Sequence, residues 1–188
     1  MHYESCADNV TFTMQRTSFK DMECPAARAL ERVGEWWSIL ILRDAFHGLS
    51  RFDEFQASLG IAPNILTRRL KHLTENGLLE RLRYNERPPR YEYRLTAQGR
   101  DFFPVLAALL AWGNRHLTPE GISVQLADRD SGQVLEPILV DRSTGRPITP
   151  DNVRLHPGPA ASAQVHARAA RIHGRYARAS LPDEEKES

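Results

Sequence analysis

Leu66, Leu70 and Leu73 recur at i, i+4 and i+7 between Pro63, which suits a first helical position, and Asn76-Gly77, which supplies a left-handed stop. The pattern predicts a helix with one buried face. Its other face carries Asn64, Thr67, Arg68, Lys71 and Glu75, with Arg69 at the edge: a polar, mostly cationic surface suited to phosphates and base edges. Upstream, Phe52, Phe55 and Leu59 repeat at i, i+3 and i+7, which predicts a shorter helix from Arg51 to Leu59, and Gly60 makes the turn between the two. Trp36 to Phe46 is apolar around most of its circumference and ends near Gly48, as a central buried helix would. Cys24 to Val33 forms a first helix with Pro25 at its start.

Downstream the period changes. Leu78 to Tyr84 and Arg90 to Leu95 are short runs of strand formers separated by the polar stretch Asn85 to Pro89. They predict a hairpin whose tip is stiffened by Pro88-Pro89, with Arg83, Arg87 and Arg90 around it. A helix-turn-helix followed by an arginine-bearing β-ribbon is the wiring of a winged helix-turn-helix on duplex DNA. After the hairpin, Thr96 is placed to cap a long helix running to about His116, with Pro104 inside it. Phe102, Phe103, Val105, Leu106, Leu109, Leu110 and Trp112 cover more of that helix than one core stripe requires. We expect Phe102, Phe103, Leu106, Leu109, Leu110 and Trp112 to bury against a second subunit.

Beyond Thr118 the chain changes character. Leu126 to Pro137 reappears thirteen residues later as Leu139 to Pro150, with Leu, Asp, Arg, Gly and Pro recurring in register. This predicts two Gly-closed turns flanked by short strands, a small β-module. Turns of this shape carry cysteine pairs in zinc ribbons; Asp, Arg, Ser and Thr stand in those places here, so no metal site is expected. The module reads as a structural relic or a packing and interaction unit, with ligand sensing as a further alternative. In the final segment Arg168, Arg171, Arg175 and Arg178 fall at helical spacing before Asp183-Glu184-Glu185, which predicts a flexible basic-then-acidic tail, with an accessory DNA-contacting helix as the alternative. The expected division is 1–20 as an N-terminal extension, 21–118 as the DNA-binding and dimerisation domain, 119–158 as the β-module and 159–188 as the tail.

Charge sharpens the picture. Ile61 to Arg94 holds eight Lys/Arg (Arg68, Arg69, Lys71, Arg81, Arg83, Arg87, Arg90, Arg94) against four Glu, a local excess of four in a chain whose formal net charge is only +1. With 188 residues, 41% hydrophobic and 26% charged, the chain buries one core and a small appended module. No run approaches a membrane span and no basic-then-apolar leader opens the chain, which points to the cytoplasm. Cys6 and Cys24 do not make a disulfide framework. No Gly-rich phosphate loop, H-E-x-x-H, C-x-x-C or G-x-S-x-G motif is present, so neither catalysis nor a cofactor is expected.

The succession Cys24-Pro25, Gly34-Glu35-Trp36-Trp37, Ile39-Leu40, Leu42-Arg43, Gly48, Arg51-Phe52, Phe55, Gly60-Ile61, Leu66-Thr67-Arg68-Arg69-Leu70, Gly77-Leu78-Leu79, Pro88, Tyr93, Leu95-Thr96, Gly99 and Trp112-Gly113 resembles the HxlR-type bacterial transcriptional regulators. The resemblance spans about Met14 to His116, and Met14 looks like a more natural beginning than Met1. It implies a mainly α fold with a small β wing, a homodimer pairing through its first and last helices, and binding to a partly palindromic operator as a repressor or activator. In some relatives a cysteine at the Cys-Pro position senses oxidants or electrophiles, which makes Cys24 a candidate redox sensor. Family members often have a serine before the recognition helix; Ala62 offers no capping oxygen. Asn64, Thr67 and Arg68 are the candidates for base edges, and Arg69, Lys71, Arg83, Arg87 and Arg90 for phosphates. The expected partners are double-stranded operator DNA, a second copy of the chain and an unidentified small-molecule effector. The alternative is a winged-helix protein-protein interaction module without specific DNA binding.

Overall fold

A computed structural model of the protein describes residues 18–179. Seven helices and two small antiparallel sheets follow one another in these residues. They are α1 (Pro25–Val33), α2 (Trp36–Phe46), α3 (Phe52–Leu59), α4 (Pro63–Glu75), β1 (Leu79–Asn85), β2 (Arg90–Leu95), α5 (Ala97–Arg100), α6 (Phe103–His116), β3 (Leu126–Ala127), β4 (Val134–Leu135) and α7 (Ala163–Ala179). The chain is thus mainly helical with a winged-helix core, and among the described residues no helix is long and apolar enough to cross a membrane.

The core gathers around α2. Ile41 and Leu42 of α2, Phe55 of α3, and Leu66, Leu70 and Leu73 of α4 are fully buried, with Val33, Ile61, Leu78 and Leu79 closing the edges. Burying each large side chain stabilises by about 1.5–3 kcal/mol, so the periodic residues themselves fix how the helices pack. Trp36, at the start of the same helix, is 73% exposed, so α2 is not buried throughout.

Turn chemistry sets the path between elements. Gly60, at φ +60°, ends α3 and donates its N–H to the Gln56 carbonyl. Gly77 ends α4 at φ +72°, donating to the Thr74 carbonyl while Leu78 donates to that of Leu73, a paired cap that turns the chain directly into β1. In the wing, β1 and β2 pair from Leu79 with Leu95 to Arg83 with Tyr91, and the register shifts before Asn85 pairs with Arg90. The Arg87–Pro88 peptide is cis. The link between α2 and α3 adds a third edge to this ribbon: Tyr93 donates its N–H to the Ser50 carbonyl at 2.7 Å, and Arg51 bridges to Glu92.

Three expectations are corrected. The long helix after the wing is two: Thr96 caps α5, accepting from the Gly99 N–H at 3.0 Å, and α6 begins afresh at Phe103, so Pro104 occupies a first-turn position where its missing N–H breaks no bond. Gly99 packs so closely on the Leu78 carbonyl that a Cβ would not fit, which holds the break in place. Phe102 and Leu106, expected at a subunit interface, pack instead on the chain's own core. The expected tail is helical over residues 163–179, and Val165, buried Ala169, Ile172 and His173 form one inward stripe of α7. Ser162 donates through its N–H and hydroxyl to the Glu23 carboxylate, both at 2.6 Å, and His173 Nε2 lies 2.7 Å from the Leu155 carbonyl. Residues 1–17, with Cys6, and 180–188, with the acidic run, lie outside the described residues.

The two internal repeats form the same turn. Asp128 Oδ1 accepts from the Ser131 N–H and hydroxyl at 2.8 and 2.7 Å; Asp141 Oδ1 accepts from the N–H and hydroxyl of Thr144 at 2.8 and 2.7 Å and from the Ser143 hydroxyl at 2.6 Å. Gly132 and Gly145 close the turns at φ +69° and +68°. The carboxylates thus organise the backbone of both turns.

Candidate nucleic-acid interface

With Leu66, Leu70 and Leu73 turned into the core, helical geometry leaves Asn64, Thr67, Arg68 and Lys71 exposed at i, i+3, i+4 and i+7 on the opposite face of α4. Local bonds decide what each can offer. Asn64 Oδ1 accepts from the Ile65 N–H at 2.9 Å, leaving its amide donors outward. The Thr67 hydroxyl donates back to the Pro63 carbonyl at 2.8 Å, leaving its methyl at the surface. Lys71 Nζ stands 3.7 Å from Glu75, an exposed and weak pair. Arg68 is exposed and has no ion pair among the described residues.

Arg69 is elsewhere. It is 7% exposed, and its Nη2 lies 3.2 Å from Glu35 at the start of α2, so the expected phosphate contact is replaced by a buried tie between two core helices. The reason is angular: position 69 lies beside the 66–70–73 stripe, one residue's 100° rotation from Arg68. The sequence offers Glu35 as an acid just before α2 and does not say which cation reaches it.

The wing carries its own scaffolding. Arg83 donates to the Glu86 carbonyl at 2.7 Å and to that of Asn85 at 3.3 Å, and Asn85 donates to the Pro88 carbonyl at 3.0 Å. Arg83 therefore holds the tip in shape instead of standing free. The Arg81 guanidinium stacks 3.5 Å from the Tyr91 ring centre, and Arg94 pairs with Glu92 at 2.7 Å. Arg87 and Arg90 remain exposed and unpaired among the described residues. One residue the pattern of apolar positions did not reveal is Arg51. It precedes α3, lies 4.7 Å over the Tyr84 ring and so braces the wing against the helix-turn-helix. Glu54 steadies the same corner, accepting from the Ser50 and Arg51 N–H groups at 2.8 Å each; these two bonds hold its carboxyl below the ordinary range.

Two further groups of candidate residues sit away from this face. On α6, Phe103, Leu109 and Trp112 are 44%, 48% and 52% exposed, and Leu110 is half-buried. Cys24 is half-buried at the position before α1. The amides of Ala27 and Ala26 face its sulfur without closing a full capping bond, and with Arg168 of α7 they lower its thiol from the ordinary value.

Residues 32–121 match the family model for the HxlR-like helix-turn-helix. An uncharacterized HTH-type transcriptional regulator of Mycobacterium tuberculosis is 43% identical over 139 residues, covering 73% of this chain and 88% of the relative. The chain belongs to the HxlR-like helix-turn-helix family. This HxlR-type chain is also similar to a regulator of Synechocystis, at 38% identity over 104 residues, covering 55% of this chain and 77% of the relative. Among solved structures, PA1607, described as a candidate transcription factor, shares 43% identity and superposes with a TM-score of 0.68 over 74% of this chain and 99% of its own. PA1374 of Pseudomonas aeruginosa, described likewise, shares 55% identity with a TM-score of 0.58 over 77% of this chain and 99% of its own. The family and these relatives are transcriptional regulators rather than enzymes, and the family model spans α2, the α3–turn–α4 unit, the wing, α5 and α6.

Proposed function

We propose that the protein is a cytoplasmic homodimeric repressor that reads a partly palindromic operator. Asn64, Thr67 and Arg68 meet base edges in the major groove, and Lys71, Arg87 and Arg90 meet phosphates. The observation that carries this reading is the row Asn64, Thr67, Arg68, Lys71: four outward polar residues on a helix whose other face is locked into the core. Asn64 keeps amide donors for adenine, the Thr67 methyl suits a thymine methyl, and Arg68 has the fork that guanine accepts. The alternative of a protein-interaction module fits less well, since such a module has no use for unpaired cations on both helix and wing. Dimerisation rests on the exposed Phe103, Leu109 and Trp112 of α6, with Leu110 at their edge, together with Leu30 of α1, which is 53% exposed.

Selection from random duplexes with the full chain tests this. The expected product is an inverted repeat with half-sites one helical turn, about 34 Å, apart, and light scattering should give a dimer. A single unsymmetrical half-site bound by a monomer contradicts it.

A thiol response is the second element. The lowered Cys24 thiol favours modification there, and its closeness to Arg168 gives an adduct a route to disturb α7. Cys24→Ser is expected to abolish any change of DNA binding on diamide treatment. A mutant that responds like the parent removes the switch.

A further inference from the structure

A cavity of about 440 Å3 opens between α2, α6 and the segment that follows α6. Leu40 of α2, Leu106 and Leu110 of α6, and Val124 and Leu126 beyond it make its apolar walls. The Phe46 and Phe103 rings, 5.2 Å apart and tilted by 51°, close one end. Its size falls within the roughly 300–1,000 Å3 of small-ligand sites. The polar side chains in the wall are those of Arg43 and His47, and no carboxylate lines it. Arg43 donates through Nε and Nη2 to Asp44 Oδ1, at 2.9 and 2.8 Å, which fixes the guanidinium and leaves Nη1 unengaged. The carbonyls at this end of α2 do not repel an anion as an open helix end would. Those of Arg43, Asp44 and Ala45 already accept from the N–H groups of His47, Leu49 and Gly48.

We propose that this cavity is an effector site for a small, largely apolar organic anion, its ring or chain between Leu40 and Leu106 and its charged group at Arg43. The inference rests on the regulator reading above and adds its ligand. Phe103, Leu109 and Leu110 border both the cavity and the face assigned to the second copy, whereas Val105 and Trp112 lie outside the cavity, so a ligand here sits beside the dimer contact, with Leu40 and Arg43 of the chain's own α2 as its other wall. The position explains how binding is felt. α2 touches α3, α4 and β2 on one side and α6 on the other, so a molecule wedged between α2 and α6 alters the angle between the reading head and the helix assigned to dimer contact.

Gly113 gives a clean test. It lines the cavity from within α6, and a Cβ added there meets nothing within 4 Å, so the backbone admits a side chain and Gly113→Leu takes up part of the cavity. The full chain is titrated with anilinonaphthalene sulfonate, an aryl anion that fluoresces in apolar surroundings. The expected result is one class of saturable site. Gly113→Leu should weaken it by about ten-fold or more. Ile138→Ser, which removes an exposed apolar residue outside the cavity, should leave it unchanged. Equal binding by parent and Gly113→Leu, or loss in Ile138→Ser, overturns the site.

The double variant Arg43→Gln/Asp44→Asn replaces an ion pair by a neutral one, without stranding the buried Asp44 carboxylate. It should weaken the sulfonate several-fold and leave the uncharged phenylnaphthylamine unaffected; equal effects on both dyes overturn the anion assignment. Finally, bound sulfonate should change operator affinity in the parent and not in Gly113→Leu. Dye binding without that change overturns the effector role alone, whereas absence of selective DNA binding in the dye-free protein overturns the regulator reading while the cavity stands.

Discussion

At the residue scale, neighbours on one helix divide into reading and holding. Arg68 and Arg69 differ by 100° of rotation: the first stands in solvent, the second is buried against Glu35 at 3.2 Å. Arg68→Ala is therefore expected to relax specificity at one base pair by roughly 1–3 kcal/mol, whereas Arg87→Ala should weaken all sequences alike. Sequencing of selected sites with both variants checks this; identical site preferences with unequal affinities reverse the assignments. Glu35→Ala acts on stability instead. It leaves Arg69 buried without that carboxylate, and the loss should be about 3 kcal/mol, the low end for a broken buried pair because Glu35 keeps 30% of its side-chain surface in water. Urea unfolding measures it, and a loss no larger than that of Arg68→Ala contradicts the buried tie. The leucine stripe was legible because burial follows period. The fate of Arg69 was not, because a cation at the edge of a stripe goes to solvent or to a partner depending on a residue on another helix.

At the element scale, caps and turns explain most boundaries. Thr96 donates its hydroxyl to the Gly77 carbonyl at 2.6 Å while accepting from the Gly99 N–H, so it ties the end of α4 to the start of α5. Thr96→Ala should cost about 1 kcal/mol or more, read from urea unfolding; no change would mean the cap is not holding the corner. The sequence marked Thr96 as a cap, but Pro104 permits both a bent helix and a new one, and only the Gly99–Leu78 packing decides between them. In the β-module, hydroxyl bonds from Ser143 and Thr144 lower the Asp141 carboxyl to about 2. Its folded value is depressed, so the turn is supported above the ordinary aspartate range, near pH 4, and loses that support as pH falls through about 2. The Asp141 carboxyl resonance followed by NMR should titrate near 2 in the folded chain; an ordinary midpoint contradicts the turn. The repeat was visible as recurring letters, and its bonding follows because Asp, a hydroxyl residue and Gly recur at the same offsets.

At the scale of the whole molecule, the winged helix, the β-module and α7 form a chain of contacts. The Glu23–Ser162 bonds lock the start of α7 to the entry of α1. The arginine spacing alone left this segment open between a solvated tail and an accessory DNA-contacting helix; docking on the chain was not legible, because the inward stripe of Val165, Ala169, Ile172 and His173 is short and this run is rich in alanine. Truncation after Gly158 separates its roles: an unchanged salt dependence of DNA binding excludes phosphate contacts from α7, and a shallower one assigns them. The α4 face and the wing are proposed to read duplex DNA, and binding of the full chain to its own upstream intergenic DNA, titrated against salt and against competitor DNA, tests this. Selective binding that weakens steeply as salt rises, with a shallower slope in Arg87→Ala, is the expected result; no preference over competitor by a protein that still dimerises would overturn the DNA-reading role.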